Sequence, residues 1–247
     1  NPTPRVCETY GGMLNAIGLQ NPGIDVFIER DIPYLKQYDT NIIVNVCGKT
    51  PDEYIDVVRR LAEEDVALLE INISCPNVKA GGIAFGQDPK QVEKITAQIK
   101  AVAKQPVIMK LSPNVTDITE MAKAAEAGGA DAISLINTLT GMKIDINRRT
   151  FALANKTGGM SGPAVKPVAV RMVYQAAHAV TIPVLGMGGI RTAEDALEFI
   201  MAGATMVAVG TANFNEPATT VQVIEGIEQF MQQNGVKDIN ELIGCVK

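Results

Sequence analysis

Six short apolar runs, most ending in polar groups, with helix start signals between them, constrain this chain more than any other feature. They are Asn41–Val46, Ala67–Ser74, Pro106–Leu111, Ala132–Asn137, Pro183–Met187 and Met206–Val209. Most are nearly all apolar, as strands in a parallel sheet covered on both faces should be. The segments between them carry caps. Thr50-Pro-Asp-Glu53 offers an N-cap, a proline at the first helical position and a capping-box glutamate. Asp88-Pro-Lys-Gln91, Asp117-Ile-Thr-Glu120 and Thr192-Ala-Glu-Asp195 follow the same logic, while Ala127-Gly-Gly-Ala130 and Ala202-Gly-Ala204 close helices just before strands.

This alternation predicts an α/β fold of the (β/α)8 TIM-barrel type, one domain over residues 1–247. A closed barrel needs eight strands, and only six are legible. Residues 1–40 read instead as a hairpin around Glu8-Thr-Tyr-Gly-Gly12 followed by a helix from about Asn21 to Tyr38. The expectation is therefore that the first two βα units, about fifty residues, are absent from this chain. A doubly wound open sheet is the competing fold.

Composition removes several function classes. The 247 residues are 47% hydrophobic with a net charge of −5, enough for a large core and with no basic surface to attract nucleic acid or an anionic membrane. No apolar run reaches the roughly 18 residues that span a bilayer, and Asn-Pro-Thr-Pro at the start has no signal-peptide pattern. Cys7, Cys47, Cys75 and Cys245 are too scattered for a disulfide framework or a zinc site, so a reducing cytoplasm is expected. The one histidine, His178, lies in a helical run and reads as an ordinary helix residue, which leaves Ser-His-Asp and multi-histidine metal chemistry without parts.

In a barrel the C-terminal ends of the strands face the active site. Those ends carry Asn45, then Asn72 to Cys75, Lys110 and Ser112, Asn137 and Thr138, Gly188-Gly189, and Gly210-Thr211. Asparagine and glycine often end strands for turn reasons alone; six such ends in succession point to a site. Pro76 breaks the ladder and leaves the Cys75 thiol at a strand mouth, beside the donor and acceptor of Asn72. Free cysteine can instead serve as a small core hydrophobe, the reading kept for Cys7, Cys47 and Cys245. Lys110 is the one cation on an apolar strand; it either snorkels outward or serves as counter-charge for a cofactor that becomes anionic. The glycines after the last two strands let backbone N–H groups approach phosphate, with Ser161-Gly162-Pro163 as a third wall. The glycine-rich run at 77–86 suits a loop that closes over substrate, or an ordinary connection.

Together, Asn72-Ile-Ser-Cys-Pro-Asn77, Lys110-Leu-Ser-Pro-Asn114, Ile136-Asn-Thr138, Gly186-Met-Gly-Gly189 and Val209-Gly-Thr211 strongly resemble dihydroorotate dehydrogenase. Gly12-Met-Leu-Asn-Ala-Ile-Gly-Leu19 and Asn155-Lys-Thr-Gly-Gly-Met-Ser-Gly-Pro163 fit the same family. Cysteine in the first motif and the run Val78 to Gly86 resemble its class 1B, the NAD-linked type. The resemblance implies FMN across the barrel mouth and oxidation of dihydroorotate to orotate in pyrimidine synthesis. It implies Cys75 as the base, under a lid at 76–86. Substrate contacts would come from Asn15, Ala16, Ile17, Gly18, Leu19, Asn72, Asn137 and Thr138, with Asn77 a further one. Flavin contacts would come from Asn45, Asn72, Lys110 and Ile136, and a phosphate cradle from Gly162, Gly188, Gly189, Gly210 and Thr211. FAD and a 2Fe–2S cluster are expected only on a partner electron-transfer subunit, and a homo-oligomer is implied by resemblance alone. No metal is expected on this chain. The family's first two strands supply further flavin contacts and a lysine that meets substrate, and neither is in this sequence. Competing readings are a barrel like that of dihydropyrimidine dehydrogenase, another phosphate-binding barrel without flavin, and a truncated, non-catalytic barrel fragment.

Overall fold

The computed structural model describes residues 1–74 and 85–246. The N-terminal hairpin is present: β1 (Val6–Thr9) pairs antiparallel with β2 (Gly12–Asn15). The helical segment that follows, α1, spans 24–35 and includes one π turn at Phe27–Asp31, somewhat shorter than the sequence predicts. Then come β3 (Ile43–Val46), α2 (Pro51–Leu61), β4 (Leu68–Asn72), α3 (Pro89–Lys100), β5 (Val107–Lys110), α4 (Ile118–Ala127) and β6 (Ala132–Leu135). An excursion of β7 (Leu139–Met142), β8 (Ile144–Asp145), β9 (Thr150–Phe151) and β10 (Thr157–Ser161) follows. The chain continues through α5 (Lys166–Ala177), β11 (Val184–Met187), α6 (Ala193–Met201), β12 (Met206–Ala208), α7 (Ala212–Asn215) and α8 (Thr219–Asn234).

All six expected strands join one parallel sheet in the order β12-β11-β6-β5-β4-β3. From β3 to β12 the sheet follows chain order, as right-handed βα units produce. Among the described residues the sheet is open between β3 and β12. A second sheet, β1-β2-β10-β7, is antiparallel.

The caps do what their chemistry dictates. Thr50, Asp88 and Asp117 accept from backbone N–H groups of Glu53, Lys90 and Thr119, and Thr192 with Asp195 forms a full capping box. Glu53 instead reaches the N–H of Lys49, one residue before the cap it was expected to close. Gly129 at φ +90° and Gly203 at φ +116° end α4 and α6 in a backbone region side chains avoid. His178 caps α5 with its ring against Tyr174, the ordinary role expected of it.

The core lies between the parallel sheet and its helices. Leu69, Ile71, Val107, Met109, Ile133 and Leu135 are fully buried against Val58, Leu61, Ile99, Val173 and Phe199. A second small cluster, Leu14, Ala16 and Leu153, sits under the antiparallel sheet.

Candidate active site

Alternation along β4 sends Leu69 and Ile71 into the core, and Glu70 and Asn72 to the other face. Asn45, Lys110 and Ser134 reach Glu70 from three different strands. Ser134 Oγ donates to Glu70 Oε1 at 2.7 Å, and Lys110 Nζ lies 3.2 Å from Glu70 Oε2, to which Asn45 Nδ2 also donates. Glu70 is 8% exposed, and the Lys110 side chain only 16%. Lys110 therefore does not snorkel: it ends in a buried ion pair.

One level higher the strand ends are bonded amide to amide. Asn137 Nδ2 donates to Asn72 Oδ1 at 3.0 Å and to Ser74 Oγ at 2.8 Å, and Asn72 Nδ2 points at Asn45 Oδ1 at 3.5 Å. The backbone of Asn72 is pinned from outside by the buried Tyr54 hydroxyl, which donates to its carbonyl at 2.7 Å. Asn114 ties the neighbouring ends, giving its amide to the Thr138 carbonyl at 3.0 Å.

Glu70, Lys110, Asn137 and Thr138 of this network open on a cavity of 760 Å³, within the roughly 300–1,000 Å³ range of small-molecule sites. Lys110, Ile136, Asn137, Thr138, Gly162, Gly188, Gly189, Gly210 and Thr211, nine of the expected site residues, line it. Asn45 and Asn72 do not line it but are bonded to residues that do. The hairpin turn, with Glu8, Thr9, Gly11 and Gly12, forms a wall that the sequence reading did not assign. Arg191 and Phe214, also unassigned, line the other side.

The glycines divide by reason. Gly188 at φ +126° and Gly189 at φ +86° occupy backbone that side chains resist, and a Cβ on Gly189 would stand 2.9 Å from the Gly162 carbonyl oxygen. Gly210 has ordinary φ and nothing within 4 Å of where its Cβ would be. Protein packing does not demand glycine there. A lining that combines glycines with an ammonium and amides suits a ligand bearing both a phosphate and a planar polar ring.

Asn15, Ala16, Ile17, Gly18 and Leu19 are not part of this lining. Asn15 pairs with Gly159 in the antiparallel sheet, and Ala16 is buried, its N–H donating to Arg5 O and its carbonyl accepting from Asn1. Gly18 and Leu19 carry positive φ beside this contact. Cys75 and Asn77 lie outside the described residues, as do positions 76–84 of the expected lid; of its remainder, Gly86 is buried, and a Cβ there would meet the Ile73 carbonyl oxygen at 2.9 Å. Among the described residues no group of acidic, cysteine and histidine side chains could hold a metal ion, and no helix is long and apolar enough to cross a membrane.

A family model for dihydroorotate dehydrogenase matches residues 1–231. The chain belongs to the dihydroorotate dehydrogenase family. A protein of Lachnoclostridium phytofermentans named dihydroorotate dehydrogenase B (NAD(+)), catalytic subunit, is 76% identical over 247 residues, which is all of this chain and 82% of that protein. One of the same name from Alkaliphilus metalliredigens is 64% identical over 246 residues, again 82% of that protein. A crystal structure of DHODH in complex with ferulenol, from Eimeria tenella, has a TM-score of 0.81 at 22% identity, covering 99% of this chain and 74% of that one; it speaks for the fold. The expected barrel type and enzyme class, an oxidoreductase of the dihydroorotate dehydrogenase family, hold. The family's reaction is the oxidation of dihydroorotate in pyrimidine biosynthesis, the activity its motifs led us to expect.

Proposed function

We propose that this chain is the catalytic part of an FMN-dependent enzyme that oxidises (S)-dihydroorotate to orotate, passing electrons through a partner subunit with FAD and a 2Fe–2S cluster to NAD. The observation that carries this reading is one cavity lined by Lys110, Asn137 and Thr138 together with Gly188, Gly189 and Gly210. The naming of its relatives as catalytic subunits of an NAD-linked enzyme supports the partner.

Bound FMN supplies a two-electron acceptor for hydride from the substrate. The chain's own residues do the rest. Gly162, Gly188, Gly189, Gly210 and Thr211 offer backbone donors and clearance for the phosphate, with Thr211 Oγ1 already held by Ser161 at 2.8 Å. Lys110 brings positive charge to the ring edge that gains negative charge on reduction. Asn72, Asn137 and Thr138 match the ring amides and carboxylate of the substrate, and because Asn137 is already bonded to Asn72 and Ser74, it meets substrate oriented. Cys75 takes the C5 proton; free cysteine has a pKa of about 8.5, so it is competent near neutral to mildly alkaline pH once partly ionised. Asn77 and 15–19 are proposed as further substrate contacts. The whole chain is one flavin-binding barrel domain on this reading, assembled as a homo-oligomer.

Rapid mixing of the FMN-loaded protein with dihydroorotate tests the proposal. Cys75→Ala should retain FMN and slow flavin bleaching by roughly 10²-fold or more, the scale of lost acid–base catalysis. An unchanged rate would remove Cys75 from the chemistry, and protein that takes up no flavin would overturn the cofactor assignment.

A further inference from the structure

Glu70 is the one acid within β4, and nothing in the proposed chemistry uses it. An ionised carboxylate away from water is costly unless it is paired and fully hydrogen-bonded. Here that condition is met with side chains from β3, β5 and β6: Asn45, Lys110 and Ser134. Both oxygens are engaged, and both Glu70 and Lys110 line the cavity. An apolar residue at 70 would pack such a strand more simply. What it could not do is aim the Lys110 ammonium and the Asn45 amide while offsetting the ammonium's charge.

We infer that Glu70 is a positioning residue that sets the reduction potential of the bound flavin by fixing Lys110 and Asn45 at the cavity wall and balancing the Lys110 charge. This rests on the reading that FMN occupies the cavity. Glu70 exchanges neither proton nor electron: dihydroorotate gives a hydride to the flavin and a proton to the base, and the carboxylate is unchanged throughout. The Lys110 contact at 3.2 Å is the longest of the bonds to Glu70. Ser134 and Asn45 keep both carboxylate oxygens satisfied if the ammonium turns toward the ring, so the pair can loosen as negative charge arrives without stranding either partner.

The sign follows from charge alone. Removing the carboxylate leaves Lys110 uncompensated, which favours the reduced ring and makes the potential more positive. Removing the ammonium does the reverse. In a spectroelectrochemical titration of the FMN-loaded protein, Glu70→Gln should favour reduction by at least tenfold, a positive shift of about 30 mV for a two-electron couple. Lys110→Met should shift it negative. Glu70→Gln/Lys110→Met should lie above Lys110→Met by a similar amount, and that comparison carries the test if Glu70→Gln alone does not fold. A merely structural glutamate would lower the melting temperature and leave the potential where it was. Flavin-loaded variants at the potential of their Glu70-containing counterparts overturn this inference alone, whereas wild-type protein that takes up no flavin overturns the cofactor reading and this one with it.

Discussion

Asn137 and Asn72, 65 residues apart, meet amide to amide, Asn137 Nδ2 donating to Asn72 Oδ1 at 3.0 Å. That bond joins the tips of β4 and β6 across the intervening β5, so two groups proposed to contact substrate are fixed by each other. Cutting it leaves Asn72 to reorient. Asn137→Ala should leave flavin content unchanged and lower kcat/KM for dihydroorotate by about 10- to 100-fold, the equivalent of 1–3 kcal/mol for an unsatisfied polar group. Steady-state kinetics at matched flavin content measures it.

The two kinds of cavity glycine should respond differently to one added methyl. Gly189→Ala forces a side chain into left-handed backbone, costing about 1–2 kcal/mol, and against the Gly162 carbonyl oxygen. It should lower the melting temperature as well as FMN affinity. Gly210→Ala meets no protein atom, so its melting temperature without ligand should match wild type while FMN binding weakens. Thermal melts paired with flavin fluorescence titrations separate the two.

Tyr54→Phe removes the hydroxyl that holds the Asn72 carbonyl and nothing else from the core. The expected loss is about 1 kcal/mol of stability, read by urea unfolding. A rise in KM should accompany it, since the tip of β4 is what the bond steadies.

Lys166 bridges Asp195 at 2.7 Å and Glu198 at 2.6 Å, tying α5 to the start of α6. Burial works to raise the Asp195 carboxyl, but the Lys166 ammonium and the N–H groups of Arg191 and Thr192 outweigh it and hold it below the usual carboxylate value. Hydrogen bonds to Asp195 and then Glu198 raise the Lys166 ammonium. Stability from the depressed acid is full above its ordinary value of 3.8 and drains away as pH falls through the lower folded value; stability from the raised lysine is full below 10.5 and lost as pH rises through its higher folded value. Asp195→Asn keeps an oxygen for the cap N–H groups but loses the charge paired with Lys166, so it should cost most at neutral pH, about 1 kcal/mol. Unfolding curves of the two proteins should converge in acid.

Strands, caps and the glycines that end helices were legible because each depends on residues close in sequence. Thr50, Asp88 and Asp117 needed only the next few backbone groups to show their roles. Lys110 was singled out as a cation in an apolar strand, but its partner was not, although Glu70 is the same kind of anomaly in β4. The pairing spans 40 residues and exists only once the parallel register of β4 and β5 is known. The antiparallel sheet was half legible for a related reason. The β1–β2 hairpin announces itself through its glycine turn, whereas β10 is a glycine-bearing strand whose pairing with β2 bridges more than half the chain. Cavity walls built from Glu8 and Thr9 follow from that contact and from nothing local.

The parallel sheet has two outermost members, β3 and β12, each with ladder partners on one side only among the described residues. Asn45 belongs to the first and Gly210 follows the second, so residues proposed to hold one cofactor stand at the two margins of the sheet. The degree to which the sheet curls would then be read directly as cofactor affinity, since it sets the distance between those two margins.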